Sequence, residues 1–416
     1  MAAPETFQRL MADEHQLPAT TALRALYAAA ATSSTGSGLA LVAFPLLALA
    51  LTRSPLLIAG VAATERLAWL VFALPAGALV DRARRRVLAL GVHLARAVLL
   101  GLLALVVATR HVVLAELYLA AFLVGAGETI AYALTHANLQ ALAPPEGLAR
   151  ANGRLSAIET ATERFLGQAA GGLAYAAARA LPFLADALGY LLAAPLLFVA
   201  TPERQRPPPS RPARREVRDG LCFLGRHQTL RLVSSALGAF ALCQAVVMAI
   251  LVVYARRSLH LGSAGFGLLL ATAALGDVGG SLLAARAEAR IGAVRLLILA
   301  GAFAGLSYLG LALAGRVLGA GAALCAEGGA TALGYVAAAT LRQRLIPPER
   351  FGVVNNAIRA VTALAAPLGA LLGGAIATLA SPQLAFLVAG LLQLCVASSL
   401  AAPLDRAARE QAGRPA

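Results

Sequence analysis

Apolar residues form long continuous runs along this chain, without the strict alternation of a half-buried strand. Each run has about 20 or more residues, the length at which an α-helix crosses the hydrocarbon core of a bilayer. The pattern predicts twelve spans, at about 22–51, 56–80, 87–109, 113–141, 153–179, 181–200, 229–255, 262–285, 293–315, 317–344, 356–380 and 382–401. A membrane barrel would alternate polar and apolar residues, so we expect an all-α membrane protein.

The polar stretches between these runs divide the chain into five parts. They are an N-terminal tail at 1–21, a six-helix bundle at 22–200, a linker at 201–228, a second six-helix bundle at 229–401 and a C-terminal tail at 402–416. The linker contains three consecutive prolines at 207–209, which favour a stiff extended segment. Residues 217–226 are typical of a short amphipathic helix at the membrane surface. A solvated connection between the bundles is the alternative.

Composition agrees with a lipid environment, because 59% of the 416 residues are hydrophobic and only 13% are charged. The net charge of +15 raises the question of a nucleic-acid partner. Every basic residue is arginine, and the arginines are spread over alternate loops rather than gathered in one patch. Placing both termini in the cytoplasm puts most of them inside, as the positive-inside rule requires. The distribution therefore favours a membrane topology and argues against nucleic acid.

An internal repeat becomes visible when the chain is shifted by 203 residues against itself. The shift aligns Pro144-Pro145-Glu146 with Pro347-Pro348-Glu349, and Asn152 with Asn355. It also aligns pairs of Gly, Tyr and Gln residues, which an Ala- and Leu-rich chain would rarely match by chance. A unit of six spans gives both halves the same orientation, so we predict two parallel six-helix bundles with a substrate cleft between them.

A glycine and a charged loop end the second predicted span. The segment contains Gly77, Asp81, Arg82, Arg84, Arg85 and Arg86. It resembles the signature loop of the major facilitator superfamily, although Arg84 stands where the general pattern has a second Gly. In such a loop the glycine permits close approach of another helix, and the arginines pair across to the other bundle. A loop that only satisfies the positive-inside rule is the alternative.

The fifth span has a cluster of small residues with Gly167, Gly171 and Gly172. It is similar to the Gly-Pro-x-x-Gly-Gly antiporter motif of the drug-exporting members of that superfamily, with Gln168 in place of the proline. Close helix packing would explain the glycines equally well.

Three further stretches, at 66–77, 144–152 and 219–231, resemble the branch of the superfamily that contains the enterobactin exporter and the macrolide-efflux proteins. The resemblance implies the major facilitator fold of twelve transmembrane helices. It also implies proton-driven export of a drug, siderophore or secondary metabolite.

Ionisable residues inside the apolar runs are candidates for function, since each costs at least about 2.5–3.5 kcal/mol at the bilayer centre. Those predicted near mid-depth are Arg66, Arg96, Glu128, Glu163 and Asp277. We expect Glu128 and Glu163 to face the cavity of the first bundle, balanced by Arg66 or Arg96, with Asp277 as the acidic residue of the second bundle. At least one of these carboxylates would bind and release a proton in the cycle. Permanent structural ion pairs are the alternative.

Other polar residues in the spans receive separate predictions. Tyr132 and its repeat partner Tyr335 are expected to line the cavity. Glu327 and Arg359 are expected nearer the helix ends, with their charges reaching towards the membrane surface.

The sequence thus favours a proton-coupled exporter in the bacterial cytoplasmic membrane, whose partners are a small-molecule substrate, protons and lipid. A nutrient importer or uniporter on the same fold remains open, as does a membrane-embedded enzyme or lipid-handling protein. No phosphate-binding loop, metal-binding helix or nucleophile elbow supports an enzyme. We expect no cofactor, and a monomer, because two bundles complete one pathway.

Overall fold

The computed structural model describes residues 19–144, 147–202, 213–347 and 350–412. In these ranges the chain is helical apart from short connections and contains no strand. The helices are α1 (Ala19–Leu51), α2 (Pro55–Arg82), α3 (Arg85–Ala108), α4 (Leu114–Leu142), α5 (Leu148–Glu159, the π-helical turn Thr160–Gly167, and Gln168–Ala177), α6 (Leu181–Ala200), α7 (Ala213–Arg226), α8 (Gln228–Arg257), α9 (Ser263–Ile291), α10 (Ala293–Leu313), α11 (Val317–Leu345), α12 (Phe351–Leu379) and α13 (Pro382–Ala412).

Eleven of the described helices are long and apolar enough to cross a membrane. Helix α5 is the twelfth, because the backbone at Thr160 (φ −62°, ψ −45°) and Gln168 (φ −68°, ψ −42°) stays helical across both junctions. Large apolar side chains such as Leu102 and Leu282 are exposed on the outer surface, where lipid would cover them. The predicted fold of two parallel six-helix bundles, α1–α6 and α8–α13, is confirmed.

Several helices begin earlier than the hydropathy pattern indicates. Helix α5 begins at Leu148 rather than 153, and α12 begins at Phe351 rather than 356. Hydropathy detects the part of a helix that lies in lipid and misses polar turns that project beyond it. The linker contains the short helix α7. The proline run at 207–209, residues 1–18 of the N-terminal tail and 413–416 of the C-terminal tail lie outside the described residues.

The repeat is visible in the helix boundaries themselves. Helices α4 and α11 both have 29 residues and begin 203 positions apart. Helices α5 and α12 also begin 203 positions apart. The turns that follow α4 and α11 are also alike. Gly147 N donates a hydrogen bond to Pro144 O at 2.9 Å, and Arg350 N donates one to Pro347 O at 3.0 Å.

Two pseudo-symmetric helix contacts join the bundles. Helix α2 packs against α12, and α9, the repeat partner of α2, packs against α5, the repeat partner of α12. Small residues allow both approaches: Gly374 lies against Leu56 and Ala59 of α2, and Gly172 lies against Gly267 of α9. Small residues at such contacts let two helix backbones approach closely in lipid, where apolar burial gives no driving force.

The buried apolar side chains form a shared cluster at one end of the molecule and separate clusters at the other. We call the end where α1 begins and α13 finishes the terminal side, and the opposite end the far side. On the far side one cluster includes Phe44 and Phe183 of the first bundle together with Tyr254 and Phe386 of the second. On the terminal side each bundle has its own cluster. The bundles are therefore joined on the far side and separated on the terminal side.

Polar contacts reinforce the closure of the far side. Leu56 N donates a hydrogen bond to Thr378 Oγ1 at 3.0 Å, and the Arg257 guanidinium donates one to Arg53 O at 2.6 Å. Both contacts connect one bundle to the other, so the route between them is blocked at this end.

Candidate transport pathway

A cavity of about 650 Å³ lies between the bundles and opens towards the terminal side. Side chains from α2, α4 and α5 of the first bundle and from α11 and α12 of the second line it. They are Trp69, Tyr132, Arg164, Tyr335, Ala339, Arg342, Gln343, Phe351, Asn355 and Arg359. Its volume falls in the usual range of about 300–1,000 Å³ for small-molecule sites. Tyr132 and Tyr335 line it together, at the two positions that the repeat relates.

At the inner end of this cavity an ion pair connects the two bundles. Arg164 of α5 pairs with Asp277 of α9, and the two carry a charge-assisted hydrogen bond between their side chains. Arg164 belongs to the π-helical turn, and such turns within α-helices are frequent at functional sites. Asp277 lies near the middle of α9 and is mostly buried. The sequence indicates Asp277 as a candidate but not its partner, because spacing within one chain does not show which helices face each other.

A second ion pair lies inside the first bundle. The Arg96 guanidinium of α3 is 3.8 Å from the Glu128 carboxylate of α4 and 4.0 Å from the ring centroid of Tyr190. The Tyr190 hydroxyl shares a hydrogen bond of 2.5 Å with Ser37 of α1. The buried arginine thus lies at ion-pair distance from one carboxylate and against one aromatic face, while its Nε and Nη2 make no hydrogen bond to a described residue.

Glu163 and Arg66 lie near these pairs without forming one with a described residue. Glu163 is half-buried in the π-helical turn beside Arg164. Arg66 of α2 is exposed and close enough to interact electrostatically with Glu163 and Tyr335. Of the two arginines expected to balance the acidic residues, Arg96 contacts Glu128 directly and Arg66 does not.

Sequence reasoning missed Asp186 and His93 in the same bundle. Asp186 of α6 is fully buried against Gly36 of α1, and neither of its carboxyl oxygens has a hydrogen-bond partner among the described residues. Arg96 is close enough to interact with it electrostatically. His93 is buried one turn before Arg96, with Nδ1 3.0 Å from Ala89 O. The sequence does contain a signal that could have found them, because both are ionisable residues within predicted apolar runs.

Glu327 is not at a helix end, so the prediction that its charge reaches the membrane surface is wrong. Its side chain is 1% exposed in the interior of the second bundle. Oε1 accepts hydrogen bonds from Thr331 at 2.9 Å, Tyr308 at 3.1 Å and Gln244 at 3.3 Å. The prediction relied on the position of Glu327 along its helix. The rotation of that helix about its axis instead turns the side chain towards the interior of the bundle. Arg359 likewise lies in the cavity, with its guanidinium 5.1 Å from the Tyr132 ring centroid.

The predicted gating loop lies on the terminal side, where the bundles are apart. In the part of the chain that the structure describes, no atom approaches the position of a Cβ on Gly77 within 4 Å, so the expected close helix contact is absent in this conformation. Arg85 is buried, with Nε 3.4 Å from Val80 O. The side chains of Asp81 and Arg82 lie outside what the structure describes.

The three glycines of α5 lie at helix contacts. A Cβ on Gly167 would be 2.8 Å from Gly38 Cα of α1, and one on Gly171 would be 2.9 Å from Leu39 Cα. A Cβ on Gly172 would be 2.9 Å from Gly267 Cα of α9. The first two glycines therefore serve packing within the first bundle, and the third serves contact between the bundles.

Comparison with solved structures finds the same fold in several transporters. A bacterial homologue of the human lysosomal transporter Spinster, inward-facing and occupied, is 16% identical with a TM-score of 0.71, covering 93% of this chain and 96% of that one. A bacterial homologue of the iron transporter ferroportin, also inward-facing, is 15% identical with a TM-score of 0.71, covering 94% and 99%. The nucleoside transporter NupG is 11% identical with a TM-score of 0.71, covering 92% and 98%.

No protein of curated function matches the sequence. A family model described as transmembrane secretion effector matches residues 18–412, almost the whole chain. The apolar helices, the duplicated bundles and the cavity between them agree with that match. The protein is therefore a multi-pass membrane transporter that belongs to the transmembrane secretion effector family of the major facilitator superfamily.

Proposed function

We propose that this protein exports a small molecule from the cytoplasm in exchange for protons, by alternating access. The observation that carries the proposal is the asymmetry of the space between the bundles. The cavity is open on the terminal side, blocked on the far side, and ends at the ion pair between Arg164 and Asp277. Rocking of the two bundles would exchange the open and blocked ends.

The orientation follows from the distribution of basic residues. Arginines are concentrated in the loops and tails of the terminal side, which supports assigning that side to the cytoplasm of a bacterial cell, at its inner membrane. The cavity would then load its substrate from the cytoplasm, as an exporter requires. The family description as a secretion effector supports the same direction.

The ion pair between Arg164 and Asp277 provides a means of coupling. Substrate would bind from the cytoplasm while Asp277 is ionised and paired with Arg164. After the substrate has left on the far side, a proton from that side would bind the Asp277 carboxylate, remove the charge that holds Arg164 and allow the empty protein to reopen to the cytoplasm. Release of the proton there restores the pair, so that one proton enters for each substrate exported. Glu128 and Glu163 are further candidate proton carriers, because both lie in the same region of the first bundle.

Inverted membrane vesicles with an imposed proton gradient test this function. Their interior would be acid, and a panel of siderophores, macrolides and cationic or anionic dyes would be added outside. We expect uptake of at least one compound that stops when a protonophore collapses the gradient. Asp277→Asn should abolish it, whereas Asp219→Asn on the exposed surface of α7 should not. Uptake by the unaltered protein that does not depend on the proton gradient would indicate a uniporter instead.

A further inference from the structure

The charge of the cavity lining is strongly one-sided. Three arginines, Arg164, Arg342 and Arg359, line it, and no Asp or Glu is among the described lining residues. Asp277 neutralises only Arg164, the innermost of the three. The outer part of the cavity therefore carries uncompensated positive charge.

Arg342 and Arg359 are in no ion pair with a described residue. The Arg342 guanidinium donates to Asn355 Oδ1 at 2.7 Å and to Ala338 O at 3.2 Å, both neutral acceptors. Arg359 lies over the face of Tyr132. The two guanidinium groups are also close enough to repel each other electrostatically. Two like charges held together without a counterion are stabilised when an anion binds between them.

The positive-inside preference does not account for both arginines. It concerns loops and helix ends. Arg359 is the ninth residue of α12, about 12 Å along the helix from its start at 1.5 Å per residue, and it lies within the predicted apolar run 356–380. By contrast, Arg344 is two residues from Arg342, is 67% exposed and pairs with Glu288 at 3.0 Å. Arg342 and Arg344 thus lie close together on one helix, and the one that faces the cavity has no carboxylate partner among the described residues.

The remaining lining groups suit an aromatic or other flat apolar body. Trp69 and Tyr132 stand edge to face with ring centroids 5.4 Å apart, and Tyr335 and Phe351 line the cavity from the second bundle. Aromatic faces of this kind bind planar rings, while guanidinium groups bind carboxylate or phosphate in two-pronged fashion. The amides of Asn355 and Gln343 add polar contacts near the charges.

From these observations we propose that the transported substrate is an organic anion, with a carboxylate or phosphate group bound between Arg342 and Arg359 and an aromatic body against Trp69 and Tyr132. The inference rests on the proposed transport function and names the substrate class of the same cavity. Arg164 adds positive charge at the inner end of the same cavity.

The chain contains a single tryptophan, and it lines this cavity, so its fluorescence reports binding without any transport. The purified full-length protein in detergent would be excited at a wavelength that tyrosine does not absorb. The probes are 3-phenylpropanoate and phenyl phosphate, with 3-phenylpropanamide and 3-phenylpropylamine as the neutral and cationic counterparts. We expect the anions to bind at least about tenfold more tightly than the amide, the difference expected for one charge-assisted contact.

Substitution of the arginines then identifies the binding groups. Arg342→Gln and Arg359→Gln should each weaken the binding of the anions about tenfold or more and leave the amide unchanged. Arg342→Lys and Arg359→Lys should retain part of the affinity, which keeps the test valid should a glutamine variant fold poorly. Arg344→Gln is the matched control, since it removes an arginine of the same helix outside the cavity and should bind like the unaltered protein.

Three results would overturn the proposal: equal or tighter binding of the amide or the amine, anion affinity that is unchanged in both glutamine variants, or no fluorescence response to either anion up to 10 mM of probe. Failure of the transport function is a separate outcome. It would be seen as anion binding in detergent together with no gradient-dependent uptake in vesicles.

Discussion

The two bundles have the same backbone plan and different polar interiors. The first contains a charged cluster, in which Arg96 contacts Glu128 and lies near the buried Asp186. The second contains Glu327, whose Oε1 is held by neutral donors from Gln244, Tyr308 and Thr331. Gene duplication explains the common plan. The difference teaches that helix lengths and contacts survive divergence in a membrane protein while its buried charges are free to be rearranged.

The repeat makes this divergence explicit. At the offset of 203 residues, Glu128 corresponds to Thr331, Arg164 to Pro367 and Asp277 to Leu74. Each of these three charged residues therefore corresponds to an uncharged residue in the other bundle. The bundles are consequently complementary rather than equivalent: one supplies the arginine, and the other supplies the acidic residue of the pair that joins them.

The largest effect is expected from breaking that complementary pair. Asp277→Asn should abolish gradient-dependent transport, because asparagine carries no titrating proton. Arg164→Gln should lower it at least about tenfold, because a hydrogen bond between charged groups contributes about 1.5–3 kcal/mol and about 1.4 kcal/mol is a factor of ten. Exchanging the charges in the double variant Arg164→Asp with Asp277→Arg should recover part of the rate. Initial rates of uptake in inverted vesicles measure this. Additive losses in the double variant would mean that the two residues act independently.

Removing the arginine of the first bundle should have the next largest effect. Arg96→Met leaves the Glu128 and Asp186 carboxyl groups without their cationic neighbour, so we expect the free energy of unfolding to fall by about 3 kcal/mol. Thermal unfolding of the purified protein in detergent gives the measurement. Arg344→Gln, which removes an exposed arginine from the second bundle, should change stability by less than about 1 kcal/mol. Comparable losses in the two variants would contradict a special role for the charged cluster.

Substitutions that disturb helix packing should have similar effects on stability in both bundles, unlike substitutions that remove charge. Gly172→Leu and Gly374→Leu place side chains into the two pseudo-symmetric contacts between bundles, and each should destabilise the protein by about 2 kcal/mol through overpacking. Gly101→Leu is the control, because no described atom lies within 4 Å of a Cβ at that position. If only one of the two contact glycines proved sensitive, the bundles would differ in packing as well as in charge.

The smallest effect is expected from neutralising the carboxyl of the second bundle. Glu327→Gln keeps an oxygen that accepts from Tyr308 and Thr331, so stability should change by less than about 1 kcal/mol and transport should persist. Glu327→Ala leaves these donors unpaired and should cost about 1–3 kcal/mol. Unfolding measurements on both variants separate the two cases. A loss of coupled transport in the glutamine variant would instead make Glu327 a proton carrier.

Much of the fold could be predicted from local properties of the sequence. The length and hydropathy of each run fix the number of spans, since lipid requires every backbone polar group to be bonded within its own helix. The matched segment around Pro144 and Pro347 predicts the duplication, and the helix boundaries reproduce its offset. Asp277, Glu128, Arg96 and Tyr132 could be chosen as candidates because an ionisable or aromatic side chain in such a run is costly or distinctive.

What the sequence alone determined is therefore the membrane fold, its duplication and a set of polar residues that need a partner. Only the tertiary structure decided that Arg164 meets Asp277, that Glu327 points inward, that Arg342 and Arg359 face one cavity, and that the far side is the closed one. The physical reason is that hydropathy depends on a single segment. Which face of a helix meets a neighbour depends instead on helix rotation and tilt, and these are set by small-residue contacts between segments far apart in the chain.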